Sequence, residues 1–291
     1  FIVEKKQLLH TIIVNYYGYV KVLLSLIIDN KATIISLIDQ IIKEHLDYED
    51  YKKIPQEILN AIDNNRNKDY QYELKDDFEL IFDTKKPVEV LYNTNESEKI
   101  KKLSDEKVDD VNFSKDIINI ISVAKIVPSK GYDRLMKIHK KLIEKNIKNH
   151  IYILGIGEEK EKYEKYLAEN NLTDTFTFLG YRDNPYKYVK KADLYVCSSR
   201  REGFSTAVTE ALIVGTPVVS TNCSGAYELL GENNEYGIVT KNNEDALYEG
   251  IKKMLTTPDL LEAYAAKAKE RGKAFSTEKT VKAVEEMLSA L

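Results

Sequence analysis

Along residues 118–240, short apolar runs alternate with amphipathic stretches. INIISVA (118–124) is apolar at almost every position, as expected of a strand covered on both faces. A helix is predicted from about Tyr132. HIYILG (150–155) is the next strand and EEKEKYEKYLAENN (158–171) the next helix. FTFLG (176–180) is a short strand, and PYKYVKKA (185–192) a helix opened by Pro185. LYVCS (194–198), PVVST (217–221) and GIVT (237–240) complete the strands. Such alternation predicts an α/β fold, a Rossmann-like parallel sheet with helices on both faces. Beyond residue 243 the pattern is helical, over 244–255, 258–272 and about 277–290, with breaks at Pro258 and at Ser276–Thr277.

The N-terminal pattern differs. Only Gly18 precedes residue 131, whereas the other eleven glycines follow from there. Regular βα turns need glycine, so the two parts are built differently. Between Leu8 and Ile28 a narrow polar stripe of Thr11, Asn15, Gly18, Lys21 and Ser25 marks a very apolar helix. Its length would allow a membrane crossing. Asn15 and Lys21 fall mid-stretch, however, and favour a helix packed on nearly all sides; the β-branched residues also permit two strands. Residues 33–46 form a cleaner amphipathic helix, with Ile34, Ile38, Ile41 and Leu46 on one side. VEVLYN (88–93) reads as a strand. The expected organisation is a smaller, mostly helical region (1–93), an exposed charged connector (94–117), an α/β domain (118–275) and a terminal helix (276–291). That last helix has Val281, Val284, Met287 and Leu288 on its apolar side.

Composition changes this picture little. Of 291 residues, 43% are hydrophobic and 31% charged, which allows a sizeable core. The formal net charge of −4 disfavours a nucleic-acid binder working through overall charge. Cys197 and Cys223 lack metal-ligand spacing and are expected to be reduced, in a cytoplasmic protein. The four histidines, at positions 10, 45, 139 and 150, form no cluster. No secretory leader is visible, although the chain begins at Phe1, so that a leader or first strand could precede it.

The candidate chemistry lies where strands end. In VPSKGYDRL (127–135), a Pro–Ser turn leaves a buried strand, and Gly131 opens the next helix. Lys125 and Lys130 flank that turn. Ligands of open α/β sheets bind beyond the carboxyl ends of strands, and two ammonium groups there suit a diphosphate. They can equally be solvated lysines. LGIGEEKE (154–161) resembles a fragment of a dinucleotide fingerprint, but G-x-G alone is weak and turn use is the expected role. FLGYRDN (178–184) ends in a loop where Tyr181 and Arg182 can face a nucleobase or simply connect two elements. REGFSTAVTEAL (201–212) sets Glu202 and Glu210 around a predicted helix start with seven residues between them. Gly203 permits close backbone approach and unusual dihedrals. The amides of Phe204, Ser205 and Thr206 are expected to be unpaired donors at a helix N-terminus, where phosphate oxygens bind. Glu202 can reach a sugar attached to that phosphate. Glu210 can accept hydrogen bonds from the vicinal hydroxyls of a ribose, or else pair with a buried lysine.

The segments SVAKIVPSKGYDRL, YILGIGEEKE, FLGYRDNPYKYVKKADLYVCSSRREGFSTAVTEALIVGTPVVSTNCSGAYELL and YGIVT resemble the donor half of family 4 glycosyltransferases, retaining enzymes of GT-B architecture. The resemblance covers residue 117 onward, about three-fifths of the chain. It implies a nucleotide diphosphate sugar donor, UDP- or GDP-linked, a hexosyl unit transferred with retention, and a glycan or lipid-linked acceptor. It implies no cofactor and no metal. Lys125 and Lys130 match the basic pair that grips the diphosphate, and Glu202 the acid beside the donor sugar. Gly203, Phe204, Ser205 and Thr206 match the segment facing sugar and phosphate. Glu210 matches the ribose-binding acid, and Tyr181 and Arg182 fall in the nucleobase loop.

Two positions depart from the pattern: Lys125 stands where arginine is common, and Ile156 where an acid is frequent. The larger departure is N-terminal. FDTKKPVEVLYNTN resembles the exit strand of the acceptor half, but residues 1–93 lack its glycine-rich loop. Two alternatives to full transfer follow, a nucleotide-sugar-binding module and an assembly subunit. The apolar N-terminal helices could then contact another subunit or the inner face of the cell membrane. Usage rich in Lys, Asn and Ile fits a bacterial surface-polysaccharide enzyme.

Overall fold

A computed structural model describes residues 95–289 apart from Ser224. The chain divides after Val90, and all described residues belong to the second unit. The helices and strand expected within 1–93, including the 8–28 stretch, lie outside the described residues.

The elements in chain order are α1 (Ser97–Ser104), β1 (Ile118–Val123), α2 (Tyr132–Glu144), β2 (Asn149–Leu154), α3 (Lys160–Glu169) and β3 (Phe176–Gly180). They continue with α4 (Tyr186–Lys191), β4 (Leu194–Cys197), α5 (Thr206–Val214), β5 (Val218–Thr221), α6 (Ala226–Leu230) and β6 (Ile238–Thr240). Helices α7 (Glu244–Thr256), α8 (Leu260–Gly272) and α9 (Thr277–Ser289) follow, with 3₁₀ turns at Pro128–Lys130 and Lys273–Phe275. All six strands are parallel, in the order β3-β2-β1-β4-β5-β6. This is the doubly wound Rossmann-like α/β arrangement expected from the sequence. The strand order reverses between β1 and β4, and the helices that follow those two strands, α2 and α5, lie on opposite faces of the sheet.

The period of two along each strand splits the core into two layers. Ile120, Ile151, Ile153, Leu194 and Val196 face one way, against Leu135, Ile138 and Leu142 of α2, Tyr163 and Leu167 of α3, and Leu247 and Ile251 of α7. Ile121, Tyr152, Leu154, Tyr195 and Cys197 face the other way, against Val189 of α4, Leu212 of α5, Ala268 of α8 and Phe275. Helix α5 is buried nearly all round because α1, α4 and α8 surround it. It therefore carries almost no polar face.

Residues 95–117, the described part of the expected connector, correct the expectation that it is exposed. Helix α1 shows ion pairs to solvent, Lys99–Glu96 at 2.6 Å and Lys101–Glu98 at 2.8 Å, but turns Ser97, Ile100 and Ser104 inward. Beyond it Phe113 is buried on Tyr152, with ring centroids 4.8 Å apart. The Tyr188 hydroxyl donates to Asp110 at 2.8 Å. Charge density disguised a segment that uses a few apolar and small residues to close one face of the sheet. At the other end, the Thr277 hydroxyl donates to the Asn95 carbonyl at 2.6 Å and accepts from the Ser97 amide at 3.1 Å. Val281 is exposed on α9.

Candidate donor site

Two loops leave the sheet where its strand order reverses, and they are stitched together. After β1 the chain makes the Pro128–Lys130 turn and enters α2 through Gly131, which is left-handed (φ 68°). A Cβ at Gly131 would lie 2.1 Å from the Ser198 carbonyl oxygen, so only glycine lets the two loops approach this closely. The Ser198 hydroxyl donates to the Lys130 carbonyl at 2.8 Å, and the Arg200 amide to the Ser129 carbonyl at 2.7 Å. Arg200 grips Asp133 through two 2.7 Å bonds. Burial pushes the Asp133 carboxyl up, but the Arg200 guanidinium and the backbone amides of Asp133 and Arg134 together hold it below the usual range.

Lys130 and Glu202 meet across this seam. The ammonium lies 2.6 Å from Glu202 Oε1, and the Ser199 hydroxyl donates to the same oxygen at 2.7 Å. Both charged side chains are mostly shielded from water, at 23% and 17% exposure, so the pair is poorly screened. Lys125 leaves the end of β1 exposed, and no described carboxylate pairs with it. Glu202 and Ser205 both line a small cavity of about 10 Å³, room for a water-sized group, at the ends of β4 and β5. Cys197, Val208, Cys223 and Leu229 make its walls mainly apolar. Both cysteines are free thiols.

Gly203 differs from expectation. Its φ is not positive, and an added Cβ would meet no atom within 4 Å. The fold itself does not demand glycine there. Phe204 packs edge-on against Phe275, with centroids 6.1 Å apart. Ser205 is the N-cap of α5, its hydroxyl accepting from the Val208 amide at 3.4 Å. Helix geometry leaves the preceding amides, those of Thr206 and Ala207, without intrahelical partners.

Glu210 lies farther along α5, and its partner is neutral rather than a lysine. The Tyr186 hydroxyl donates to its Oε1 at 3.1 Å. Burial raises the carboxyl's pKa, and the Tyr186 bond opposes that rise. Tyr186 is pushed up to about 12, first by its own burial and then by the Glu210 charge. Tyr186 opens α4, five residues past Tyr181, and so links the loop after β3 to α5. Tyr181 is 65% exposed there, while Arg182 is tied to Asp110 at 3.1 Å. No direct contact joins Tyr181 or Arg182 to the Lys130–Glu202 pair among the described residues.

The G-x-G after β2 serves the fold. A Cβ on Gly155 would lie 1.9 Å from the Ala124 carbonyl oxygen, and one on Gly157 2.2 Å from that of Ile126. Ile156 between them is exposed. Sequence reasoning missed Ser199, Tyr186 and Arg134. All three act through contacts that no local spacing announces, although Arg134 follows the Lys–Gly pair by only a few residues.

The model of the family Glycosyl transferases group 1 matches residues 104–271, more than half of the chain. A Campylobacter jejuni N-acetylgalactosamine-N,N'-diacetylbacillosaminyl-diphospho-undecaprenol 4-alpha-N-acetylgalactosaminyltransferase is 34% identical over 192 residues, covering 65% of this chain and 50% of its own length. The chain thus spans about half the length of such curated relatives. The Anabaena protein HepE, solved with UDP, superposes with a TM-score of 0.64 over 82% of this chain and 69% of its own, at 18% identity, a likeness of fold. Staphylococcus aureus TarM, solved with UDP, fondaparinux and alpha-GlcNAc-glycerol, gives a TM-score of 0.52 at 25% identity, covering 60% of this chain and 36% of its own. The family match, the strand order and the shared fold agree with the resemblance read from the sequence. This chain is a member of the group 1 glycosyl transferases.

Proposed function

We propose that this protein transfers a hexosyl unit from a UDP- or GDP-sugar to a glycan or lipid-linked acceptor, with retention and without a metal. Residues 118–275 would hold the donor. The carrying observation is the Lys130–Glu202 pair, seated where the strand order reverses and beside the N-terminus of α5.

A diphosphate bound there would take up the Lys130 ammonium and release Glu202 toward the donor sugar. Lys125 would supply a second cation, and the Thr206 and Ala207 amides would face phosphate oxygens. Together they would neutralise the departing diphosphate by fixed electrostatics, the role a metal plays elsewhere. Glu210, held by Tyr186, would accept the ribose hydroxyls. Tyr181 would offer its exposed ring to the base, with Arg182 shaping the loop through Asp110. Glu202 would position the sugar or stabilise an oxocarbenium-like state, with the donor phosphate acting as base on the same face. The Campylobacter relative's name includes a diphospho-undecaprenol acceptor, which supports the lipid-linked class. TarM's structure with UDP supports a uridine donor.

The test is incubation of the full chain with UDP- and GDP-hexoses and a panel of glycan and polyprenyl-diphosphate acceptors, with products read by proton NMR. An α-linked product from an α-linked donor is expected, unaffected by chelation. An inverted product, or turnover that chelation abolishes, contradicts the mechanism. Binding of the sugar nucleotide with neither hydrolysis nor transfer leaves a binding module.

A further inference from the structure

The charges at the reversal point do not cancel. Lys130 is paired with Glu202, and Arg200 with Asp133. Three cations of these two loops then remain without a carboxylate among the described residues, Lys125, Arg201 and Arg134. Lys125 is exposed, whereas Arg134 is only 5% exposed.

Arg134 spends all its contacts on neutral acceptors. Its Nε donates to the Ser198 carbonyl at 2.8 Å, and Nη2 donates to the Ser198 and Ser199 carbonyls. Its Nη1 donates to Asn242 Oδ1 at 2.9 Å, and Asn242 donates onward to the Arg200 carbonyl at 2.9 Å. These acceptors solvate the guanidinium without cancelling its charge. Burying such a charge is costly, and an apolar side chain of similar length would avoid that cost. Ser199 is the connection to the site. Its carbonyl also accepts from the Thr221 hydroxyl at 2.6 Å, and its own hydroxyl holds Glu202.

We infer that Arg134 is a positioning residue of the donor site, whose buried charge also draws the donor's diphosphate. The inference rests on the donor-site reading above. Its fork fixes the backbone that orients Glu202, and through Glu202 it sets Lys130. Its charge adds to those of Lys125 and Arg201, so the two loops carry an uncancelled positive charge where ionised phosphates would bind. Lysine at this position would keep the charge but could not span two carbonyls and Asn242 at once.

The experiment is titration of the full chain with UDP and GDP, and with uridine and guanosine by competition, on the unaltered protein, Arg134→Met and Arg134→Lys. Arg134→Met is expected to lose roughly tenfold in diphosphate affinity and little in nucleoside affinity. Its diphosphate binding should also fall less steeply with salt. Arg134→Lys should keep the preference for diphosphate over nucleoside but lower kcat with little change in KM, because Glu202 is no longer held. Thermal unfolding checks that each variant folds. Should the Met variant fail to fold, Arg134→Gln is read in its place. A parallel loss of nucleotide and nucleoside affinity, leaving their ratio and the salt dependence unchanged, would reduce Arg134 to a structural role and overturn the inference. Binding of neither nucleotide by the unaltered chain overturns the donor-site reading itself, and this one with it.

Discussion

Glu210 is a carboxylate that burial pushes toward its neutral form, and only the Tyr186 hydroxyl resists. The ionised form is the one that accepts from ribose hydroxyls. Acidification should therefore weaken nucleotide binding, and the fall should begin at a higher pH than an ordinary glutamate would give. Titrations across pH check this: Glu210→Gln should bind weakly at every pH, with a flat profile, and an equally sloped profile in the variant would remove Glu210 from the effect. Gly203 makes the complementary case, since no protein atom opposes a methyl group there. Gly203→Ala should leave unfolding stability within about 0.5 kcal/mol while weakening sugar-nucleotide binding. Loss of stability with unchanged binding would show that the glycine serves the loop alone. At this scale contiguous motifs singled out Lys130, Glu202 and Glu210, and the structure brings the first two into contact. The sequence was illegible where a partner comes from another loop. Nothing in the spacing places Ser199 on Glu202, or Tyr186 rather than a lysine on Glu210.

Strands and their following helices were readable because burial on both faces leaves nearly unbroken apolar runs, as in β1, β2 and β4. Helix α1 was not, since one buried isoleucine among lysines and glutamates carries no period. Helix α6, five residues long between loops, was also unmarked. The element-scale prediction concerns α2 and β2. His139 is fully buried between Asn149 Oδ1 and Thr175 Oγ1, each at 2.8 Å, and burial lowers its pKa to about 4. The unfolded chain takes up that proton near the ordinary histidine pKa, whereas the folded chain resists it. Stability is thus full above about pH 6.5 and is lost as pH falls through about 4, by on the order of 3 kcal/mol. His150, lowered by burial as well, adds in the same direction. Denaturant unfolding at neutral and acidic pH checks this, and His139→Gln should flatten most of the slope. A slope unchanged in that variant assigns the acid sensitivity elsewhere.

For the whole molecule, the doubly wound order of the sheet decides where chemistry can occur. It brings the ends of β1 and β4 side by side, so that residues 72 apart in sequence, Lys130 and Glu202, touch. Among the described residues no helix is long and apolar enough to cross a membrane. The most direct test of the account is calorimetric titration of the full chain with UDP and with GDP, repeated on Lys130→Ala and Glu210→Ala. One of the two nucleotides should bind at a single site, and each substitution should cost about 1–3 kcal/mol of that binding. Heat from neither nucleotide, or affinity in both variants unchanged from the unaltered protein, would contradict the central claim that these loops form one nucleoside diphosphate site.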